Sequence, residues 1–452
     1  MAQDAEFRVA RGDLPAPEPL LDPPSDLGHW TGRSAKAALV LADLPAGLRS
    51  AGLRRMASAL NSAQDEILEA NTLDLEASQE MAVPEVLQEW LKLTPERLQA
   101  TVAILRDLGE WPDPMQQVGA ASYQPERGQA YSQRSPLGVV ALLSEAFPEL
   151  AAIAAGLCLR TANALLLRGG SETSYSNRVI IEVLQEALEK VGLPTDSLLL
   201  LPGDVGSLSG LLNQVQDVDV IIPYGRPSWV QQVTRQSVIP VIPTAMGNCY
   251  LYWGCSAPLE TVRWMIIDSH RGEPDAPNAI DKVLVPPSIS AASLQMLWND
   301  LQERGFEIRA DASLIQSFPS LALADDEEWD NPYLVPRIGF RTVGNVEEAI
   351  AWINHHSSGH ADCLATDAYG ESRQFTLGLR SAMVYVNASP RFERRPSNGG
   401  EIALGMSNLM GARAGRVGLD TLTQMTQIVL GQKSKAAKLR RLKNNATLAR
   451  HL

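Results

Sequence analysis

A chain of 452 residues with 45% hydrophobic and 20% charged side chains has the composition of a globular protein, long enough for two or three domains with their own cores. A net charge of −13 argues against a nucleic-acid groove, and the most apolar run, residues 150–167, is broken by Arg160 and Asn163, so no stretch suits a bilayer span. The amino terminus lacks the basic and apolar regions of a signal peptide, and the cysteines at 158, 249, 255 and 363 have neither metal-ligand spacing nor a disulfide framework, so a cytoplasmic protein with reduced, mostly buried thiols is expected.

In chain order, residues 1–33 are rich in Pro, Asp and Gly and read as a mobile extension that cannot form a core. From Ser34 to about Leu108 the pattern is helical: Leu48, Leu53, Met56, Ala57 and Leu60 recur at helical spacing, and Thr94-Pro95-Glu96 starts a helix. Residues 111–135 read as an extended excursion or hairpin. Short apolar strands then alternate with helices: strands at Leu137–Leu143, Ala164–Leu167, Leu198–Leu201, Val218–Ile222 and Val238–Ile242, and helices at Pro148–Arg160, Ser174–Val191, Leu208–Val215 and Ser228–Gln236. That alternation predicts a parallel, doubly wound α/β sheet, which binds ligands at the carboxyl ends of its strands. A second α/β run follows, with strands at Tyr250–Tyr252, Lys282–Val285, around Ile308 and at Met383–Asn387, and helices at Ala291–Arg304 and Val346–Asn354. It reads as a separate lobe with a cleft between the two.

Residues 433–452 carry seven basic side chains and no acid. They read as a solvated helical end resting on the acidic body, or as a docking helix for an acidic partner or for RNA. The glycines of Pro202-Gly-Asp-Val-Gly-Ser-Leu-Ser-Gly210 do not have the spacing of a dinucleotide fingerprint and read as turn and cap residues.

Three longer strings carry more information: Pro136-Leu-Gly-Val-Val-Ala-Leu-Leu-Ser-Glu-Ala-Phe-Pro148, Leu157-Cys-Leu-Arg-Thr-Ala-Asn-Ala-Leu-Leu-Leu-Arg-Gly-Gly-Ser-Glu-Thr173 and Val384-Tyr-Val-Asn-Ala-Ser-Pro-Arg-Phe392. With Ile239-Pro-Val-Ile242, His360-Ala-Asp-Cys-Leu364, Gly411-Ala-Arg413 and Gly418-Leu419, the chain resembles the gamma-glutamyl phosphate reductases (glutamate-5-semialdehyde dehydrogenases) of the aldehyde dehydrogenase superfamily, over about residues 36–430. The resemblance implies a doubly wound cofactor domain at 36–249 with an oligomerisation excursion at 113–135, and a catalytic-type α/β domain at 250–388. It further implies a return to the cofactor and oligomerisation region at 389–432. Residues 1–35 and 433–452 fall outside it. A homo-oligomer built through the hairpin and the strand near 420–430 is implied as well.

The family's chemistry, carried here by resemblance alone, is attack of a cysteine thiolate on the acyl phosphate of L-glutamyl 5-phosphate, loss of phosphate, and hydride delivery from NADPH to the thioester. It serves proline biosynthesis. Such a step needs a low-pKa thiol, donors for the oxyanion and cationic or backbone groups for phosphate. The family's Arg-Pro-Ser-Thr-Cys-Asn-Thr aligns without a gap on Pro274, Pro277 and Asn278, followed by the acid Asp281 and the strand Leu284-Val285, so the nucleophile position is Pro277. The family's Tyr-Glu-Ala-Arg-Pro-Asn is Ser144-Glu145-Ala146-Phe147-Pro148-Glu149, where a guanidinium has become a phenyl ring.

On the cofactor side, the family's Arg-Gly-Gly-Lys-Glu is Arg168-Gly169-Gly170-Ser171-Glu172, without the lysine that meets the adenosine ribose and 2′-phosphate. Arg-Gly-Gly is Tyr224-Gly225-Arg226 and Thr-Gly-Gly is Pro243-Thr244-Ala245, so side chains stand where bare backbone approaches the ligand. Arg226 is expected to offer a replacement phosphate contact. The expected site is therefore Glu145, Phe147, Pro277 and Asn278 at the reacting centre, with Arg168, Gly169, Gly170, Ser171, Glu172, Gly225 and Arg226 toward NADP(H), and no metal. Cys158 and Cys249 read as packed core residues, and His360 reads equally well as the family's histidine or as a polar turn residue. The sequence favours a reductase homologue that has lost the family reaction and binds a partner or metabolite, against an active reductase with a divergent site. Nothing argues specifically for a nucleophile-free activity on another substrate.

Overall fold

The computed structural model describes residues 26–124, 128–203, 205–397, 399–409 and 415–430. Most of the amino-terminal extension, the Gly411–Arg413 match and the basic tail lie outside these residues.

Five helices come first: Leu27–Asp43, Ala46–Ser62, Gln64–Glu80, Glu85–Leu91 and Pro95–Glu110. The first begins at Leu27, within the expected extension of 1–35, and corrects its bounds. Asp26 caps it by accepting the Gly28 N–H at 3.0 Å, and Leu27, Thr31, Ser34, Ala37, Ala38 and Leu41 form a buried stripe at helical spacing. That stripe supplies the apolar area that composition alone hid.

The first sheet has five parallel strands in the spatial order Leu198–Leu200, Ala164–Gly169, Val139–Ser144, Val220–Gly225 and Thr244–Ala245. Its central strand is buried throughout, as a parallel sheet covered on both faces requires. The expected strand Val238–Ile242 does not form. Pro240 and Pro243 cannot donate to a ladder, and pairing there shrinks to an Ile221–Val241 bridge before the two-residue strand Thr244–Ala245.

The second sheet has seven parallel strands: Ala322–Leu323, Glu307–Ala310, Arg337–Thr342, Ile280–Val285, Cys249–Trp253, Ala361–Ala365 and Met383–Val386. Helices Leu259–Ser269 and Ala291–Glu303 pack on one face through Val262, Met265, Leu297 and Trp298. Val346–His356 and Tyr369–Gly378 cover the other through Ile353 and Phe375. The chain then returns to the first lobe, where Ile402, Leu404 and Val417 share a core with Val140 and Leu142.

The excursion is an antiparallel hairpin, Val118–Gln124 with Gly128–Pro136, and Thr423–Leu430 pairs with its second strand. Val118, Met425, Val429 and Leu430 are exposed on this small sheet. Among the described residues, no helix is long and apolar enough to cross a membrane.

Candidate active site

The loop expected to hold the nucleophile joins helix Leu259–Ser269 to strand Ile280–Val285, near the middle of the second sheet. It is a tight structure. The Ala276 N–H reaches the Glu273 carbonyl at 3.1 Å, the Ala279 N–H reaches the Ala276 carbonyl at 2.8 Å, and Ala276 sits at φ +35°. Pro277 is buried, and its carbonyl accepts the Gly247 N–H at 2.9 Å. A Cβ on Gly247 would lie 2.6 Å from that carbonyl oxygen and 2.9 Å from Cys249 Sγ, so the close approach requires glycine. Asn278 Nδ2 donates to the Pro390 carbonyl at 3.1 Å, which ties the loop to the returning chain. Its buried Oδ1 has no hydrogen-bond partner among the described residues.

Beside the loop lies a buried ionic cluster. Arg394 places Nη2 3.0 Å from Asp275 Oδ2 and Nη1 3.2 Å from Oδ1, and it also contacts the Glu273 carboxylate. The same guanidinium donates to the Tyr224 hydroxyl at 2.8 Å, while that hydroxyl donates to Asp275. Burial opposes the Arg394 charge, but the Asp275 and Glu273 carboxylates outweigh it and raise its pKa. Burial raises the Tyr224 pKa as well, so both keep their protons.

Phe147 completes the packing. Its ring stacks on Trp90 at 5.0 Å between centroids, meets Tyr224 edge-on at 5.5 Å, and has the Arg394 guanidinium carbon 5.9 Å away. Ala146 and Phe147 both adopt left-handed φ values, +51° and +50°, which bend the chain sharply after the central strand. A cavity of about 380 Å³ at this place is lined by Trp90, Gly247, Glu273, Asp275, Ala276 and Asp281. Its lining also includes His270 and Arg304, and Glu273 and Asp275 already have Arg394 as their cation.

None of the four cysteines supplies a thiolate to the loop. Cys158, Cys249 and Cys363 are buried, and burial raises the pKa of each. Cys249 comes nearest, with Sγ 4.0 Å from the Pro277 carbonyl oxygen, and the Asp362 charge raises its pKa further. Cys255 is exposed beside Ser288, at the other end of the strand Cys249–Trp253. His360 is buried, bonded through Nδ1 to Ser358 Oγ at 2.8 Å, and its pKa is lowered to about 4 by burial. It is a neutral, buried histidine in the bend that leads into the strand Ala361–Ala365. Among the described residues no group of His, Cys, Asp and Glu could hold a metal.

The second half of the expected site lies at the first sheet, where strand order reverses between Val139–Ser144 and Val220–Gly225. This is the place where open α/β sheets bind ligands. Glu145 follows one strand and Arg226 the other. They form an ion pair, with Oε1 2.6 Å from Nη2, and Glu145 Oε2 also accepts the Arg226 backbone N–H at 2.9 Å. Glu172 accepts the Ala146 N–H at 2.9 Å, and its oxygens would lie 2.1 and 2.2 Å from a Cβ on Gly170. Arg168 donates to the Val205 and Gly206 carbonyls at 3.3–3.4 Å, and Ser171 is exposed on the rim.

A cavity of about 490 Å³ is lined by Ser144, Glu145, Arg168, Gly170, Ser171 and Arg226 among others. A larger one, about 630 Å³, lies beyond Arg168 against Trp30 and helix Ser174–Glu189. The smaller cavity is the one at the sheet's switch point. A dinucleotide needs free amides and cations for its phosphates there. As the crevice stands, internal carboxylates take the Ala146 and Arg226 amides and the Arg226 side chain, and Arg168 is the lining cation left to meet a phosphate of NADP(H). This corrects the expectation that Arg226 offers a phosphate contact: its partner is Glu145.

Residues 26–246 match the Aldehyde dehydrogenase family. The chain is 51% identical over 386 residues to gamma-glutamyl phosphate reductase 2 of Synechocystis sp., covering 85% of this chain and 92% of that protein. The chain belongs to the gamma-glutamyl phosphate reductase family. This family member is also 35% identical to the gamma-glutamyl phosphate reductase of Gloeobacter violaceus over 403 residues, 88% of this chain and 95% of that one. It is similar to the crystal structure of gamma-glutamyl phosphate reductase from Thermotoga maritima, with a TM-score of 0.82 and 28% identity over 90% of this chain and 98% of that chain. A propionaldehyde dehydrogenase from Clostridium phytofermentans shares the fold, with a TM-score of 0.65 at 14% identity.

In this reductase homologue the expected residues form two groups. Phe147, Pro277 and Asn278 lie at the lobe junction, and Glu145, Arg168, Gly170, Ser171, Glu172 and Arg226 line the crevice, with Gly169 and Gly225 in the strand ends. Trp90, Tyr224, Glu273, Asp275 and Arg394 are the residues that sequence reasoning missed as site members. In the sequence Tyr224 reads only as the replacement for the arginine of the family's Arg-Gly-Gly. Arg394 follows the Val384–Phe392 match by two residues, and that adjacency was the available signal.

Proposed function

We propose that this member of the family has given up the thiolate reaction and acts as a non-catalytic paralogue that binds a partner or metabolite through the retained fold. The observation that carries the reading is Pro277. A pyrrolidine ring stands at the nucleophile position, in a loop locked by Gly247 and Asn278, and no other cysteine offers an accessible thiol there. Phe147 in place of the family's arginine, its ring stacked on Trp90, supports it. Assembly through the small antiparallel sheet, docking of an acidic partner by the basic tail and cytoplasmic residence belong to the same reading. Four free cysteines suit a reducing compartment.

The second reading is an active NADPH-dependent reductase with a divergent site. What favours it is 51% identity to a protein named as a reductase over nearly all of that protein's length. The test is a hydride-transfer assay with L-glutamyl 5-phosphate and NADPH, alongside rescue of a proline auxotroph. The non-catalytic reading expects neither turnover nor rescue, and turnover at the rate of an ordinary reductase would sink it.

A further inference from the structure

Glu145 and Arg226 meet across the switch point of the first sheet, and the geometry of their contact is that of a bound anion. The carboxylate collects a guanidinium at 2.6 Å and a backbone amide at 2.9 Å, the donor types that bind phosphate groups at strand ends. Gly225 makes room for it, since a Cβ there would lie 2.6 Å from Glu145 Oε2. We propose that the Glu145 carboxylate is a built-in occupant of an anion site, that it closes the crevice to dinucleotides, and that release of Arg226 from Glu145 opens the site to a diphosphate.

Three further observations support this arrangement. Glu172 holds the Ala146 amide in the same way, so the crevice is lined by two carboxylates against two guanidinium groups and offers no net attraction to an anion. Arg168 is the other cation of the cavity. It has no carboxylate partner among the described residues, and its bonds to the Val205 and Gly206 carbonyls are long. With Glu145 neutralised, Arg226 and Arg168 would face the same space from two strand ends. The Arg226 side chain is also 35% exposed, so the pair can part toward solvent without unpacking the core. The inference concerns binding alone and does not depend on whether the Pro277 loop retains chemistry.

The test is calorimetric titration of the full chain with inorganic pyrophosphate, and separately with NADH, for the wild type and for Glu145→Gln. The amide keeps an acceptor for the Arg226 N–H, so the strand end keeps its geometry. Binding of both probes should tighten at least ~10-fold in Glu145→Gln. The gain should vanish in Glu145→Gln combined with Arg226→Gly, and it should shrink as salt is raised. Glu145→Ala serves as the second variant if the first does not fold, with circular dichroism and the thermal midpoint as the check. Wild-type affinity equal to that of the Glu145 variants would overturn the proposal. So would a gain that survives loss of Arg226.

Discussion

Arg394 grips Asp275 with both terminal nitrogens, at 3.0 and 3.2 Å, and joins the returning chain to the loop that carries Pro277. Tyr224, at the end of a first-sheet strand, hydrogen-bonds both partners, so the contact fastens one lobe to the other. Arg394→Met should strand two acidic groups without their cation and destabilise the fold by about 3–5 kcal/mol, the usual result of breaking a buried pair. Denaturant unfolding measures it. A loss below about 1 kcal/mol would mean that water enters the cluster freely.

Restoring the thiol should not restore the reaction. In Pro277→Cys the sulfur would stand at a buried position, where desolvation raises rather than lowers a thiol pKa, and Phe147 would remain in place of a donor. NADPH oxidation with L-glutamyl 5-phosphate should stay at background, and iodoacetamide labelling of the new thiol should be slow at pH 7. Rapid turnover by this single variant would confine the damage to one residue.

Gly247→Ala tests how tightly the Pro277 carbonyl is held. The added methyl would stand 2.6 Å from a backbone oxygen that cannot swing aside, so strain of about 1–3 kcal/mol is expected. A thermal midpoint equal to the wild type's would show that the loop shifts at no cost.

Two buried groups near Pro277 should oppose each other in pH dependence. Asp362 is raised to about 6 by burial, against hydrogen bonds from Ser381, Ser357 and the Tyr250 N–H. Its folded pKa exceeds its unfolded one, so its contribution is full below about pH 4 and is lost as pH rises through 6. His360, lowered to about 4, contributes above about pH 6.5 and loses that contribution as pH falls through 4. Relative to the wild type, Asp362→Asn should therefore gain stability between pH 4 and 6, by about 2–3 kcal/mol. His360→Gln should gain it in the opposite direction, as pH falls over the same window. Difference curves of unfolding free energy against pH decide this, and curves of the same sign would refute it.

The sequence was most legible where order along the chain suffices. The strand-helix alternation predicted the first sheet, and the spacing from Pro274 to Leu284 placed Pro277 and Asn278 at the mouth of a second-sheet strand. What stayed hidden were contacts between residues far apart in sequence. Arg394 meets Tyr224 across 170 positions and Asp275 across 119, and no local pattern encodes such meetings. The strand expected at Val238–Ile242 failed for a local reason that was readable, the prolines at 240 and 243. The helix Leu27–Asp43 was obscured by prolines that stop just short of Asp26, its cap.

The tie among Tyr224, Asp275 and Arg394 has a mechanical consequence. Enzymes that swing two lobes together around a substrate need an interface that gives way cheaply, and charges pinned in a dry junction do not. The outer surfaces of the two lobes are thus presented at a preset spacing and angle. A partner touching both would meet a rigid bracket rather than a closing jaw.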